Sequence, residues 1–379
     1  MKARLSKVLA ATAVMGLIVG VAPAAHAATS TIQLYISADT NIQDLWQKTL
    51  IPAFNKQYPD YDVVVTFDRN GANDVQTTAK ITASKVTRRD PGIDLIDGGF
   101  VLQLGAGGLL YRPTSGLMPG IKQVPSSLVK YCQGGIPYRG STVLLAYNSK
   151  NVKTPPKSLS ELLTWIKANP GKFTYNVPSG GGSGRSFVQT VLDSQLSKAD
   201  YKALTTPATV ANKSAQAGWS KGWDVLRGLN KYTYGQNGTY PANNAAVLEL
   251  LSKGLVDVAP VWSDQIASAI KAGTMPKDVK YLQIANPAFT GGPACLGIPA
   301  NSTNRNGARL LANWVLSPAA QNLIVAGSMN GLPVISPTLL DAAVAENIAD
   351  LDISTMRAPY VSVNDADMKA AWALQVPGK

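Results

Sequence analysis

Between residues 32 and 99 the chain switches repeatedly between two hydrophobic periods, and few architectures accept that order. Ile32, Leu34 and Ile36 alternate with Gln33 and Tyr35, a strand of period two. Residues 41–56 follow with Ile42, Leu45, Trp46, Leu50 and Phe54 mostly at helical spacing, and Pro52 opens a second helical segment. Residues 63–65 predict a strand and 74–85 a helix. Residues 93–96 predict a short buried strand, which Gly98 and Gly99 end in a tight loop. A β-α-β-α-β order needs crossover connections, so it predicts a parallel, mostly buried sheet in an α/β domain.

The alternation resumes downstream. Residues 142–148 read as a strand, and Thr154-Pro155-Pro156 leads into a helix with Ser158 at the N-cap and Glu161 three residues on. A strand over 173–177 runs into a Gly/Ser loop at 178–184, and a helix begins near Arg185. Trp219, Trp223, Leu226 and Leu229 mark another helical region, followed by a helix over 245–251 and a strand over 256–262. The last third predicts a strand at 294–299, helices at 308–316 and 318–326, a turn at Gly331-Leu332-Pro333 and a helical C-terminus. No internal repeat or low-complexity linker interrupts this order.

The N-terminus carries Lys2, Arg4 and Lys7, an apolar run over 8–21, and Ala25-His26-Ala27. That is the order of a secretory signal, with cleavage expected between Ala27 and Ala28. The run is about 14 residues, short of the roughly 20 that span a bilayer. The residue after the expected cut is Ala28 and not a cysteine, which argues against a lipid anchor, and a periplasmic location fits best. Of 379 residues, 352 remain after residues 1–27, a length that suits two domains. The charge of +12 falls to +9 without Lys2, Arg4 and Lys7. Such a surplus can steer anionic small molecules, but it forms no Lys/Arg run or other nucleic-acid signature.

The single histidine, His26, falls within the expected leader, so the exported chain lacks the commonest general base and metal ligand. A Ser-His-Asp triad is excluded. Ser127-Leu-Val-Lys130 and Ser268-Ala-Ile-Lys271 match the Ser-x-x-Lys spacing of an exported Ser-Lys hydrolase, yet no Lys-Thr-Gly accompanies them. A binding protein without cofactor or metal is the stronger expectation. Cys132 and Cys295 form an even pair that suggests one disulfide in an oxidising compartment, with two buried thiols as the alternative.

Several segments in this order resemble the extracellular solute-binding proteins of ABC importers, in the type II branch with polyamine-, thiamine-, iron- and maltose-binding members. Ile32-Gln-Leu-Tyr-Ile-Ser37, Ile51-Pro-Ala-Phe-Asn55 and Tyr58-Pro59 are similar to its first strand and helix. Asp94-Leu-Ile-Asp97 looks like a strand of its second ligand loop. Ile136-Pro137-Tyr138 with Leu145-Ala-Tyr147-Asn148 resembles the entry to the second lobe, and Gly254 to Trp262 a strand bearing a ligand-facing aromatic. Leu296-Gly-Ile-Pro-Ala-Asn301, then Ala308, Trp314, Leu316 and Pro318, resembles the return to lobe one.

The resemblance implies an α/β fold of two lobes joined by crossing strands, with the ligand in the cleft between them. Lobe one would hold residues 28–140 and 288–335, and lobe two residues 145–285, with 336–379 a helical segment packing on lobe one. Cys132 and Cys295 would both lie in lobe one near the hinge. The partners implied are a small-molecule solute and a membrane permease, and a monomer is expected.

Ligands of open α/β sheets sit beyond the carboxyl ends of strands. Four loops qualify here: Ser37, Asp39 and Thr40; Asp97, Gly98, Gly99 and Phe100; Ser179 to Ser186; and Trp262, Ser263 and Asp264. The third is the most specific, with Gly181, Gly182 and Gly184 between Ser179, Ser183, Arg185 and Ser186. Glycines let backbone N–H groups approach a ligand, and a following helix adds donors and a positive dipole end. Arg185 can pair bidentately with a carboxylate or phosphate. These features predict a small polar solute bearing a phosphate, phosphonate or carboxylate. Trp262 and the scattered Asp and Asn residues keep a sugar open as the alternative. Polyamine-binding relatives would carry acidic residues where this loop has Ser and Gly. For ferric iron, only Tyr232 and Tyr234 come close to a ligand pair.

Overall fold

The structure, a computed structural model, describes residues 30–112, 114–206, 208, 210–326, 331–346, 348 and 357–379. The expected leader and its cut after Ala27 lie outside the described residues. Among the described residues seven strands build one sheet: β1 (Ser30–Ala38), β2 (Tyr61–Arg69), β3 (Leu95–Gly98), β4 (Ile136–Asn148), β5 (Val258–Trp262), β6 (Val279–Leu282) and β7 (Gly291–Gly297). The order is β2-β1-β3-β7-β4-β5, with β6 also paired to β4. β1 runs parallel to both β2 and β3, as the crossover order requires, and the remaining pairs are antiparallel.

The 13-residue β4 joins the lobes. Its first half, Ile136 to Thr142, pairs with β7; its second half, Val143 to Asn148, pairs with β5 and β6. Cys132 precedes this strand and Cys295 lies on β7, and a disulfide joins them across 163 residues.

Hydrophobic burial divides at the same place. One core gathers Ile32, Leu34, Trp46, Phe54, Ile136, Leu296, Trp314 and Ile324; another gathers Val143, Leu145, Phe173, Tyr175, Phe187, Trp219 and Val258. Tyr35 is buried against Phe100 on the opposite face of β1. The strand therefore has no solvent side, although its sequence alternates.

Local chemistry sets the element ends. Ser158 Oγ accepts from the Glu161 amide at 3.2 Å, and the Glu161 carboxylate takes the Lys157 amide at 2.8 Å, one residue earlier than a reciprocal capping box. Pro52 sits in the first turn of the helix Ile51–Gln57, and the wider turns of Leu45–Leu50 precede it. Proline has no N–H to return to the preceding turn, so the regular ladder must adjust there.

Two expectations are corrected. Residues 173–177 form no regular strand: Phe173 makes only isolated bridges to Thr233 and Val258. The C-terminal segment does not pack on lobe one as a unit. Leu340 and Ile348 join the lobe-one core, but the helix Ser362–Gln375 closes lobe two with Met368 and Trp372, flanked by Tyr360 and Val376. Trp372 packs edge-on to Tyr175 and donates to its hydroxyl at 3.3 Å. An aromatic pocket of Phe173, Tyr175, Phe187 and Tyr240 draws this helix across.

The candidate ligand cleft

A cleft of about 280 Å³ opens between the lobes. Lobe one contributes Ser37, Asp39, Asn70, Gly71, Asp74 and Gly99, and lobe two contributes the 178–182 loop, Arg185, Asn244 and Trp262. Lys369 arrives from the C-terminal helix.

On lobe one, β1 ends at Ala38, and Asp39 precedes the short helix Thr40–Asp44 without capping it through its side chain. The Asp39 carboxylate reaches instead across the cleft, accepting from Asn244 Nδ2 at 3.2 Å and Gln265 Nε2 at 2.7 Å. After β2, Asn70 and Gly71 both take left-handed backbone angles, φ 60° and 72°. Consecutive left-handed residues turn the chain sharply, which Asn-Gly does with little strain. The turn delivers Asp74 at the start of the helix Asp74–Thr87, where its carboxylate accepts from Ser37 Oγ at 2.6 Å. Burial pushes both carboxyls above the ordinary carboxylate range. The Asp264 charge adds to the rise at Asp39 and the Asp68 charge to that at Asp74.

On lobe two the helix Gly182–Asp193 begins within the glycine loop, three residues earlier than expected. Asn176, fully buried, clamps the loop. Its carbonyl accepts from Ser183 Oγ and the Gly184 amide, both at 2.9 Å, and its amide donates to Val177 and Gly181 carbonyls. The glycines leave room for this. A Cβ on Gly184 would lie 1.8 Å from the Asn176 backbone carbonyl oxygen, and one on Gly182 would lie 2.4 Å from the Trp262 ring. With Asn176 and Asn244 taking the Gly184 and Ser183 amides, those of Gly181 and Gly182 have no acceptor among the described residues. Arg185 and Lys369 both meet Asp365, at 3.5 and 2.7 Å.

Of the residues expected at the site, Ser37, Asp39, Gly99, Ser179, Gly181, Gly182, Arg185 and Trp262 come together in the lining. The others lie elsewhere. Asp97 is buried and accepts from Trp46 Nε1 at 2.9 Å and Tyr138 OH at 2.5 Å. Burial pushes its carboxyl up, against the pull of Arg139 and these donors. Gly98 lies against Phe100 and Ser37, Phe100 belongs to the lobe-one core, and Thr40 is an exposed helix start. Ser183 and Ser186 are turned inward, the latter accepting the Thr290 amide at 2.8 Å, and Gly184 is spent on the Asn176 contact. Ser263 and Asp264 join the crossing strand: the Thr142 amide donates to Ser263 Oγ, and Ser141 Oγ donates to Asp264 at 2.5 Å. Asp264 also accepts from Asn41 across the cleft at 3.1 Å and faces Arg139 at 3.9 Å.

The lining residues not anticipated from sequence include Asn70, Gly71, Asp74, Asn244 and Lys369. The strand-end rule applied to β2 would have found the Asn70-Gly71 turn. Lys369 had no such signal, because its position depends on which lobe receives the C-terminal helix.

Residues 49–350 match the family model described as bacterial extracellular solute-binding protein. Protein YnjB of Escherichia coli K12 is 27% identical over 187 residues, 49% of this chain and 46% of that protein, so the match spans about half of each. Among solved structures, maltose-bound MalE3 of T. maritima superposes with a TM-score of 0.68 at 15% identity, covering 92% of this chain and 96% of that one. The spermidine/putrescine substrate-binding protein PotD of Streptococcus pneumoniae gives 0.66 at 14%, covering 92% and 99%. At such identities the two structures speak for the fold: two α/β lobes around a cleft.

Proposed function

This chain belongs to the bacterial extracellular solute-binding proteins, and from that premise we propose that its cleft captures a small polar solute carrying a phosphate, phosphonate or carboxylate group. The observation that carries the reading is the lobe-two wall. There the Gly181 and Gly182 amides, at the start of a 12-residue helix, stand with Arg185 and Lys369 on one side of the cleft. Free amides at a helix N-terminus and two cations favour an anion together. Lobe closure about β4 would bury the solute, and the closed form would then dock on a membrane permease. Export through the leader at 1–27 would bring the protein to the periplasm.

A sugar is the second reading. Trp262 lines the cleft, and its indole N–H has no acceptor among the described residues. Native mass spectrometry of gently purified protein tests both. A stoichiometric acidic adduct is expected, and a neutral hexose-like mass would overturn the anion in favour of the sugar.

A further inference from the structure

We infer that the occupant of this cleft is amphoteric: it gives its anionic group to the lobe-two wall and a cationic amine to Asp39 and Asp74 on lobe one. The inference rests on the anion-receiving role of lobe two proposed above and adds the chemistry of the opposite wall.

The two walls carry opposite charge and do not neutralise each other. Arg185 and Lys369 share one carboxylate, Asp365, so the lobe-two wall keeps a surplus of positive charge. Arg185 Nε is enclosed and has no acceptor among the described residues. Facing them, Asp39 and Asp74 are half-buried, and neither is in an ion pair among the described residues. Asp39 is hydrogen-bonded by the neutral amides of Asn244 and Gln265, and Asp74 by the Ser37 hydroxyl. Neutral donors orient a carboxylate but leave its charge in place. Arg69 and Arg139 act on Asp39 without pairing with it.

Each class of ligand can be weighed against these walls. A simple anion would satisfy lobe two and leave two carboxylates facing it unpaired. A diamine would satisfy lobe one and meet Arg185 and Lys369. A neutral sugar would hydrogen-bond both walls without pairing either charge, whereas a molecule with both signs compensates both, and a charge left unpaired on closure is strongly unfavourable. Trp262 adds an aromatic surface able to receive an ammonium group. A volume near 280 Å³ lies at the lower end of small-molecule sites, which suits a short, compact amphoteric solute.

Calorimetric titration of the exported form with a matched series tests this: 3-aminopropylphosphonate, propylphosphonate and propylamine, with 4-aminobutanoate and butanoate as the carboxylate pair. The expected result is that an amino-substituted anion binds at least tenfold tighter than its unsubstituted partner and than propylamine. Asp74→Asn should remove most of that advantage while leaving the unsubstituted anion bound as well or better. Asn keeps the acceptor for Ser37, so the wall stays built. If the unsubstituted anions bind as tightly as the amino-substituted ones, the amphoteric inference falls and the anion site stands. If propylamine binds tightest, or nothing in the series binds at millimolar concentration, both fall.

Discussion

Asp39, Asp97 and Asp264 carry the same side chain to three different ends. Asp39 bridges the cleft, Asp97 is sealed under Trp46 and Tyr138, and Asp264 is tied to the crossing strand through Ser141. Their partners lie between 41 and 226 positions away for all but local contacts, so no window of sequence could sort them. Asp39 also yields a pH prediction. Its raised carboxyl binds a proton more tightly in the folded than in the unfolded state. The stability it contributes is therefore present below the ordinary carboxylate range and is lost as pH rises through the raised value. Asp39→Asn lacks this titration. Thermal melts of both proteins should show the unliganded wild type gaining on the variant as pH falls through the window just above the ordinary carboxylate range. Parallel pH curves would count against the assignment.

At the scale of elements, the glycine loop and the helix after it show how a weak sequence signal became a specific one. The Ser/Gly composition marked the loop, but only the fold shows that Ser183, Gly184 and Ser186 hold it together while Gly181, Gly182 and Arg185 face outward. The clamp, Asn176, lies seven residues from Ser183, in a stretch that reads as strand and is not one. This division separates two substitutions. Gly182→Ala would drive a Cβ against the Trp262 ring. That flexible edge can give way, so the fold should lose under about 1 kcal/mol of stability while affinity drops at least tenfold, about 1.4 kcal/mol. Gly184→Ala meets the Asn176 backbone instead, which cannot retreat without undoing the loop. There urea unfolding should show a loss of about 2 kcal/mol or more.

Over the whole molecule, the strand alternation was enough to predict an α/β fold, because a buried parallel sheet leaves few ways to connect its strands, while the two lobes around a cleft followed from the family resemblance. The destination of the C-terminal helix was not legible, since its apolar face fits either lobe until Tyr175 and its aromatic neighbours are in place. The disulfide acts at this scale too. It closes a loop across 163 residues on the lobe-one side, and the chain-entropy model assigns such a closure about 5 kcal/mol at most. Replacing both cysteines by serine should lower the melting temperature and the unfolding free energy. Ligand affinity should stay within about twofold, because neither cysteine lines the cleft.

The C-terminal helix also sets a timetable for synthesis. Tyr175 waits 197 residues for Trp372 to cover it. At roughly 5–20 residues per second a ribosome needs about 10–40 s to supply that stretch. Through that interval the nascent chain holds the face of Tyr175, joined 65 residues later by that of Tyr240, without the indole that packs edge-on to both. Lobe two therefore completes its core only once Met368, Trp372 and Val376 have been made, after every strand of the sheet.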